Sequence, residues 1–212
     1  MCVNFTPATP TSIQRMTGLG APEYRLETYP GYAAPIIRAV DVEAAKIALR
    51  VDAALFGLIP GWAKDRSFGK RTYNARSETV AEKPSYRTAW RQRRFCLVPM
   101  EQFYEPCWET GRAVRWRIHR KDGTPFAVAG IWESWTDRPT GEIVESFSML
   151  TINADGHAVM GRFHRPGDER RSLVVVPASK WDAWLSASTT IAAGLFNEMD
   201  TSKFAAEAAL IP

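Results

Sequence analysis

The sequence predicts an α+β fold built on a curved, barrel-like antiparallel sheet with peripheral helices. Short apolar runs dominate the 212-residue chain, turn residues separate these runs, and only three stretches show a helical pattern. Many short strands with few helices are typical of a sheet that closes on itself to bury one face. The length suits a single domain spanning residues 1–212.

Strands are predicted wherever apolar or alternating runs lie between turn residues. In chain order the runs are residues 51–57, 95–99, 114–119, 126–132, 146–152 and 173–176. Residues 114–119 alternate apolar and polar side chains and are followed by Asp122-Gly123 and then by residues 126–132. This arrangement predicts a β-hairpin over residues 114–132.

Helices are predicted over residues 86–94, 179–187 and 201–209. In the second, Ser179 is expected to cap the N-terminus, and Trp181 and Trp184 fall on one face. All three are expected to lie at the periphery of the sheet.

Composition excludes several classes of protein. Hydrophobic residues make up 45% and charged residues 24% of the chain, which excludes disorder as the main state. No apolar run is long enough to cross a membrane as a helix, so no membrane partner is expected. The first ten residues, MCVNFTPATP, lack the basic segment and apolar core of a secretory signal. We therefore expect a cytoplasmic protein.

The charge is unevenly distributed along the chain. The net charge is +4, but residues 60–125 contain 15 Lys and Arg residues against 7 Asp and Glu residues. Arginine binds phosphate through two parallel hydrogen bonds, so an arginine-rich basic segment favours a polyanionic partner such as nucleic acid. A GC-rich genome would also enrich arginine, and charge alone does not separate these two explanations.

Metal sites, cofactors and disulfides are not expected. The cysteines, Cys2, Cys96 and Cys107, are odd in number and lack the spacing of a zinc site. The histidines, His119, His157 and His164, lack such spacing as well. The chemistry of the protein is therefore expected to come from its own side chains.

Cys2 is the first candidate for that chemistry. Removal of Met1 would place an α-amine and a thiol on adjacent carbon atoms. The amine, with a reference pKa of about 8, can form an imine with an aldehyde, and the thiol can then close a five-membered thiazolidine ring. Two alternatives stay open: a hydrolase that uses Cys2 as its N-terminal nucleophile, and a cysteine that merely follows the start codon.

A second candidate is the segment from Tyr73 to Thr79, which follows a basic stretch. Arg76 could hold a phosphate through a charge-assisted pair of hydrogen bonds, and Asn74 could hold a sugar hydroxyl or orient an N-terminal amine. The alternative is the start of a helix, capped by Asn74 or Ser77. The two interpretations are compatible, because a helix N-terminus also binds anions.

Glu105 and His164 are candidates for proton transfer. Glu105 follows an apolar and aromatic run, where burial would raise its pKa toward neutrality, although a surface position at a strand end is the alternative. His164 lies among the arginines of residues 162–171, which would lower its pKa and keep it neutral as a general base. The alternative is an ordinary loop histidine.

Trp62 follows the turn formed by Pro60 and Gly61. An exposed tryptophan at such a turn could stack on a nucleic-acid base. The alternative is a core residue that closes one end of the barrel.

Taken together, these motifs resemble the SOS-response-associated peptidase (SRAP) family. The matching residues are Cys2 directly after Met1, Gly57-Leu58-Ile59-Pro60-Gly61-Trp62, Asn74-Ala75-Arg76-Ser77-Glu78-Thr79, Cys96-Leu97-Val98-Pro99 with Phe103-Tyr104-Glu105, and His164. They occur in the family's order along most of the chain. Each motif alone is weak, but five in order with an N-terminal cysteine are specific.

The resemblance implies a function. A protein of this family would have the SRAP fold, bind single-stranded DNA as a monomer, crosslink to abasic sites through a thiazolidine and remove its own Met1. The resemblance assigns the nucleophile to Cys2, its positioning to Asn74, and proton transfer to Glu105 and His164. Contacts to DNA fall to Arg76, Trp62, Ser77 and Arg162.

The sequence departs from the family's pattern after Cys2. Many members continue with Gly-Arg, whereas this chain has Val3 and Asn4. We expect an arginine of residues 162–171 to replace the missing one. Two other functions stay open: a peptidase acting on other proteins with Cys2, His164 and Glu105, and a non-covalent nucleic-acid binder.

Overall fold

The computed structural model describes residues 2–41, 47–196 and 199–209. The strands are β1 Asn4–Pro7, β2 Ala33–Asp41, β3 Ala48–Phe56, β4 Asn74–Arg76, β5 Phe95–Cys107, β6 Val114–Arg120, β7 Phe126–Thr136, β8 Ile143–Asn153, β9 Arg171–Leu173, β10 Val175–Val176 and β11 Phe204–Ala208. The α-helices are α1 Pro10–Thr17, α2 Arg87–Arg91, α3 Trp181–Leu185 and α4 Thr189–Gly194. Short 3₁₀ turns span Arg66–Arg71, Met160–Arg162 and Ala178–Lys180.

Five strands close into a barrel, in the order β5, β7, β8, β3, β2 and back to β5. This confirms the predicted fold class. Most pairs are antiparallel, but β3 and β4 both run parallel to β8. The chain reaches β8 from β3 by a long connection, which permits a parallel pair that a tight hairpin cannot make.

Strand β5 is the longest element, and its two halves have different neighbours. Residues 95–100 pair with β7 inside the barrel, whereas residues 102–107 pair with β6. The predicted hairpin over residues 114–132 is therefore wrong, since in the described part of the chain β6 and β7 pair with β5 and not with each other. Asp122-Gly123 makes the expected turn, but the turn connects strands on opposite halves of β5.

The predicted helix over residues 201–209 is also wrong. Residues Phe204–Ala208 form β11, which pairs with β6 in the register Phe204 to Arg120. Glu207 binds both Arg117 and His119 on the neighbouring strand. These cross-strand contacts on an edge strand outweigh the weak helical preference of the alanines.

The other two predicted helices are present but shorter than expected. The first is α2, and the second is α3, preceded by the 3₁₀ turn Ala178–Lys180. Ser179 lies within that turn and does not cap α3, because no side chain caps its N-terminus. Trp184 is buried, and its indole N–H donates to the carbonyl of Cys96 on β5 at 2.8 Å, which fixes α3 on the barrel wall.

Gly57 ends β3 and begins the turn that carries Trp62. Its φ of 118° lies in the region that favours glycine, and a Cβ at this position would lie 2.0 Å from the carbonyl oxygen of Gly69. This close approach packs the 3₁₀ turn Arg66–Arg71 against the end of β3. It thereby fixes the base of the turn below Trp62.

The barrel interior is an aromatic core to which Cys2, Phe5, Phe56 and Phe163 belong. A second core lies between the barrel wall and α2, α3 and α4. Among the described residues, none of the helices is both long enough and apolar enough to span a membrane.

Candidate active site and nucleic-acid interface

Backbone pairing brings Cys2, Glu105 and His164 to the same end of β5. Strand β1 pairs with the outer half of β5, with Asn4 opposite Tyr104, so Cys2 lies beside this half. An isolated bridge between Cys107 and Phe163 brings the segment before His164 to the end of the same strand. Residues far apart in sequence thus share one neighbourhood.

Cys2 is buried and held from two sides. Its side chain is 1% exposed, and its thiol donates to the carbonyl of Asn4 at 3.4 Å. The side-chain amide of Asn74 donates to the carbonyl of Cys2 at 2.7 Å. Cys2 is therefore fixed both by its own strand and by a residue of β4.

Asn74 is positioned by strand β4. It pairs with Met149 of β8, and the hydroxyl of Tyr86 donates to its carbonyl at 3.0 Å. Its side-chain oxygen Oδ1 is buried, and no donor among the described residues reaches it. A buried acceptor without a partner is costly, so Oδ1 is suited to accept from a group that arrives with a ligand or with processing of the chain terminus.

The electrostatics of Cys2 and Glu105 are linked. Burial raises the pKa of the Cys2 thiol, and the charge of Glu105 raises it further, so the sulfur is protonated at neutral pH. Burial also raises the pKa of Glu105 to about 7, against the opposing positive charge of the amino terminus. A carboxyl group in this range can both give and accept a proton near neutral pH, as the sequence predicted.

His164 is neutral and strained. Burial lowers its pKa to about 4, and the charges of the amino terminus and of Arg170 and Arg171 lower it further. The direction agrees with the prediction, although burial is a larger cause than the arginines. Its φ of 133° is rare for a residue with a side chain and costs about 1–3 kcal/mol.

The tautomer of His164 follows from its contact with Arg171. The backbone N–H of Arg171 donates to Nε2 of His164 at 3.3 Å. Nε2 is therefore the acceptor, and the single proton of the neutral ring lies on Nδ1. In this state Nδ1 carries the ring proton, and Nε2 is engaged by the backbone of Arg171.

The guanidinium of Arg171 organises the residues around this site. Its side chain is 2% exposed and binds both oxygens of Glu78 at 2.8 Å. It also donates to Glu169 at 2.8 Å and to the carbonyl of Thr151 at 2.6 Å. Hydrogen bonds from Arg171 lower the pKa of Glu78 to about 2. A buried charge with this many partners is well compensated.

Arg76 lies half-exposed at the end of β4 and binds Glu169 at 2.7 Å. Glu169 therefore bridges Arg76 and the buried Arg171. Ser77 follows β4, and its backbone N–H donates to the carbonyl of Thr151 at 2.9 Å.

The alternative of a helix starting at Asn74 or Ser77 is wrong. Residues Asn74–Arg76 form β4, because they pair with β8, and the next helix begins only at Arg87. This segment consequently offers no helix N-terminus to an anion.

Trp62 is 55% exposed, so the alternative of a core residue is wrong. Its ring packs edge-to-face against Phe68 with centroids 4.8 Å apart, and its indole N–H donates to the carbonyl of Pro84 at 3.2 Å. These two contacts hold the indole in place while more than half of its surface stays exposed. Its contact with DNA remains a prediction.

Arg162 is bound by a carboxylate of its own. It binds Glu109 at 2.7 and 2.9 Å and stacks on Trp116. The cation beside Asn4 is instead Arg115 of β6, which donates to Asn4 Oδ1 at 2.6 Å. Among the described residues, no arginine of residues 162–171 hydrogen-bonds to Val3 or Asn4, so the expected replacement from that loop is wrong. Pairing of both β1 and β6 with β5 brings Arg115 there, and no local motif signals it.

The part of the chain that the structure describes contains no group of three His, Cys, Asp or Glu side chains arranged to hold a metal ion. The three thiols are free and buried. The arrangement is therefore one of a buried thiol, a carboxyl group and a neutral imidazole beside exposed cations.

Comparison with protein families gives one match over nearly the whole chain. Residues 1–209 match the model of the family described as SOS response associated peptidase (SRAP). A structure of a protein from Bordetella bronchiseptica has a TM-score of 0.88, 28% identity, and coverage of 99% of this chain and 100% of that one. A structure from Bacteroides thetaiotaomicron has a TM-score of 0.78 at 23% identity, covering 98% and 91% of the two chains, and shows the fold alone.

Curated relatives are similar over shorter stretches. The abasic site processing protein YoaM of Bacillus subtilis is 39% identical over 138 residues, which is 64% of this chain and 56% of that protein. The abasic site processing protein HMCES of Rattus norvegicus is 27% identical over 183 residues, or 70% and 49% of the two chains. The chain spans about half the length of the curated relatives that it matches.

Proposed function

The chain belongs to the SRAP family, and on that premise we propose that it binds single-stranded DNA and crosslinks to abasic sites through Cys2. The product is a thiazolidine between Cys2 and the ring-opened sugar, and it shields the site during the response to DNA damage. Support comes from the names of the relatives, abasic site processing proteins, and from the buried cluster around Cys2. We propose a cytoplasmic monomer that joins the nucleoid when DNA is bound.

Crosslinking requires a free α-amine on Cys2. Hydrolysis of the peptide bond between residues 1 and 2 consumes one water molecule, releases methionine and exposes this amine. We propose that the protein performs this step itself, which makes it a hydrolase toward its own chain. Asn74 supports the arrangement, because its N–H holds the Cys2 carbonyl while its buried Oδ1 can accept from the new amine.

The crosslink forms in two stages. The neutral amine adds to the aldehyde carbon of the opened sugar and gives a carbinolamine. Protonated Glu105 gives its proton to the hydroxyl group, which leaves as water, and an iminium ion remains. The Cys2 thiol then adds to the iminium carbon, and its proton returns to the Glu105 carboxylate. One C–N bond and one C–S bond form, and one water molecule is lost.

The protonation states favour this sequence. The pKa of Glu105, raised to about 7 by burial, makes it an acid in the first stage and a base in the second. The raised pKa of the Cys2 thiol keeps the sulfur protonated until the iminium ion is present. His164, neutral with its proton on Nδ1, can donate a hydrogen bond to the sugar oxygen during ring opening.

The other residues bind the strand. Arg76 holds a phosphate next to the abasic sugar once it leaves Glu169, and Trp62 stacks on a base near the site. Ser77 and Arg162 add polar contacts along the backbone. The imine could undergo β-elimination, a lyase-type reaction that cleaves the strand. Closure of the thiazolidine ring consumes the imine and so leaves a stable adduct instead.

The observation that carries the proposal is the contact of Asn74 with Cys2 beside a carboxyl group whose pKa is about 7. The test is incubation with an oligonucleotide that contains one abasic site, followed by denaturing electrophoresis. Wild-type protein and Cys107→Ala, which removes another buried thiol, should both form a heat-stable adduct. Cys2→Ala should form none, and an undiminished adduct in that variant would refute the proposal.

A peptide-cleavage assay distinguishes this proposal from the alternative of a peptidase that acts on other proteins. Such an enzyme would need an accessible thiolate, whereas the Cys2 thiol is buried and its pKa is raised. A peptidase should cleave a model peptide in the absence of DNA. A protein that crosslinks but leaves the peptide intact has only the proposed activity.

A further inference from the structure

Tyr73 lies in the aromatic core beside Cys2. It directly precedes Asn74, and its backbone carbonyl accepts the N–H of Met149 on β8 at 3.0 Å. Its half-buried ring packs at a steep angle against Phe56, with centroids 5.7 Å apart, and rests on the same core to which Cys2 belongs. The backbone pairing and the ring contact therefore fix this phenol next to the site.

The phenol also lies within electrostatic reach of both Cys2 and Glu105. Burial raises the pKa of Tyr73, and the charges of Cys2 and of Glu105 raise it further, so the hydroxyl keeps its proton near neutral pH. The amine of a processed Cys2 becomes neutral only near its reference pKa of about 8, where Glu105, with a pKa of about 7, is largely ionised. Tyr73 is thus a donor that stays protonated at the pH where the amine is reactive.

The hydroxyl of Tyr73 is available to a ligand. Within the described ranges it takes part in no hydrogen bond, whereas the hydroxyl of Tyr86 is bound to the carbonyl of Asn74 at 3.0 Å. The half-buried position leaves part of the side chain open. A protonated phenol held by its ring, with an O–H that is not already used, is suited to bind an oxygen atom that gains negative charge.

We propose that Tyr73 is a further catalytic residue, whose O–H donates to the aldehyde oxygen of the opened sugar while the Cys2 amine adds to the carbonyl carbon. The inference rests on the proposed function, because it concerns the substrate of that reaction. It assigns a separate donor to each of two oxygen atoms. His164 serves the sugar oxygen during ring opening, and Tyr73 serves the carbonyl oxygen during addition.

The addition step leaves Tyr73 unchanged. The lone pair of the amine forms the C–N bond, and the π electrons of the C=O bond move to oxygen. The O–H of Tyr73 stabilises the negative charge that develops there, as the donors of an oxyanion hole do. One proton of the new ammonium group then moves to this oxygen and gives the carbinolamine, which protonated Glu105 dehydrates. The phenol begins and ends the step protonated.

The first test is Tyr73→Phe, which removes the hydroxyl and keeps the ring against Phe56. The single-turnover rate of adduct formation at saturating abasic DNA should fall by about 10²- to 10³-fold, the cost of removing one donor to an oxyanion. The affinity for undamaged oligonucleotide and the midpoint of thermal unfolding should stay at their wild-type values. The matched control is Tyr32→Phe, at an exposed tyrosine outside this core, which should keep the wild-type rate.

The second test isolates the addition of the amine. In Cys2→Ser the amine can still form an imine, and cyanoborohydride traps it, so the rate of trapping reports imine formation without the thiol. Adding Tyr73→Phe to Cys2→Ser should slow trapping by the same factor as in the wild-type background. Equal trapping rates with and without the hydroxyl would overturn the inference, as would a wild-type rate in Tyr73→Phe alone or a loss of affinity that accounts for its slower rate.

Failure of this inference is distinguishable from failure of the proposed function. An adduct that persists in Cys2→Ala refutes the proposed function, whatever the rate in Tyr73→Phe. An adduct that requires Cys2 but forms at the wild-type rate without the Tyr73 hydroxyl refutes the role of Tyr73 alone.

Discussion

The side-chain amide of Asn74 holds the backbone carbonyl of Cys2 at 2.7 Å, although 72 residues separate the two in sequence. Pairing of β4 with β8 and of β1 with β5 creates this contact. The contact is to the backbone of Cys2 and not to its sulfur. It therefore fixes the backbone from which the amine of a processed Cys2 would extend, whereas the thiol is bound separately to the carbonyl of Asn4 and would leave that contact to reach an aldehyde.

Asn74→Ala should slow adduct formation by about 10- to 100-fold, because loss of a buried hydrogen bond and of the fixed amine position costs about 1–3 kcal/mol. The measurement is the single-turnover rate of adduct formation at saturating abasic DNA. Asn153→Ala is the control, because this asparagine is exposed and its side chain bonds to Asp155, and it should retain the wild-type rate. Equal rates in the two variants would remove the positioning role.

The rate of adduct formation should show a bell-shaped dependence on pH. The Cys2 amine must be neutral and has a reference pKa of about 8, whereas Glu105 must be protonated and has a pKa of about 7. Because the group that must lose its proton has the higher pKa, the rising limb of the profile lies near the lower of these two pKa values and the falling limb near the higher one. Glu105→Gln should react about 10²- to 10⁴-fold more slowly, and its rate should only rise with pH. A variant that keeps the alkaline decline would show that another group donates the proton.

The pH dependence of the free energy of unfolding gives an independent check on the raised pKa of Glu105. The folded pKa of Glu105 lies above its unfolded value, so the folded state binds the proton more tightly. This contribution to stability is present at low pH and is lost as pH rises through about 7. The free energy of unfolding of Glu105→Gln should therefore increase relative to wild type between about pH 4.5 and 7.

Four residues of the site, Cys2, Asn74, Glu105 and His164, could be predicted from sequence, because each has a local signal. Cys2 directly follows Met1. Glu105 ends an apolar run, and burial there was expected to raise its pKa. The position of Arg115 beside Asn4 has no such signal, since it depends on two different strands pairing with the outer half of β5. Local motifs report residue chemistry, whereas long-range register decides which side chains meet.

The same distinction explains the errors in the fold. Residues 114–132 contain a genuine turn at Asp122-Gly123, but the partner of each flanking strand is chosen by the bend in β5. Phe204–Ala208 is alanine-rich, which favours a helix locally, but as a strand it places Glu207 opposite Arg117 and within reach of His119. Tertiary contacts override weak local preference in both cases.

Glu169→Gln should increase affinity for undamaged single-stranded DNA by about 3- to 10-fold at low salt, because it frees Arg76 for a phosphate. Arg171 keeps both oxygens of Glu78, so the fold should persist. The control is Glu23→Gln, the same charge change at an exposed residue that binds neither arginine. If both variants gain equally, the effect comes from net charge and the Arg76 ion pair has no specific role.

Gly57→Ala should destabilise the protein by about 3 kcal/mol, since it combines an unfavourable φ with a clash against the backbone of Gly69. The measurement is the midpoint of thermal or urea unfolding. Gly61→Ala lies in the same turn, has no atom within 4 Å of the added Cβ and should leave stability nearly unchanged. A neutral Gly57→Ala would mean that the close approach of the two glycines is not needed.

The most direct test of a crosslink through Cys2 is the intact mass of the adduct with an oligonucleotide that carries one abasic site. The predicted mass is that of the protein without Met1, plus the oligonucleotide, minus one water molecule. With Cys2→Ser the imine can form but the C–S bond cannot, so that adduct should be lost on heating unless a reductant traps it. An adduct that retains Met1, or a Cys2→Ser adduct as stable as the wild type, would contradict a crosslink through both the amine and the thiol of Cys2.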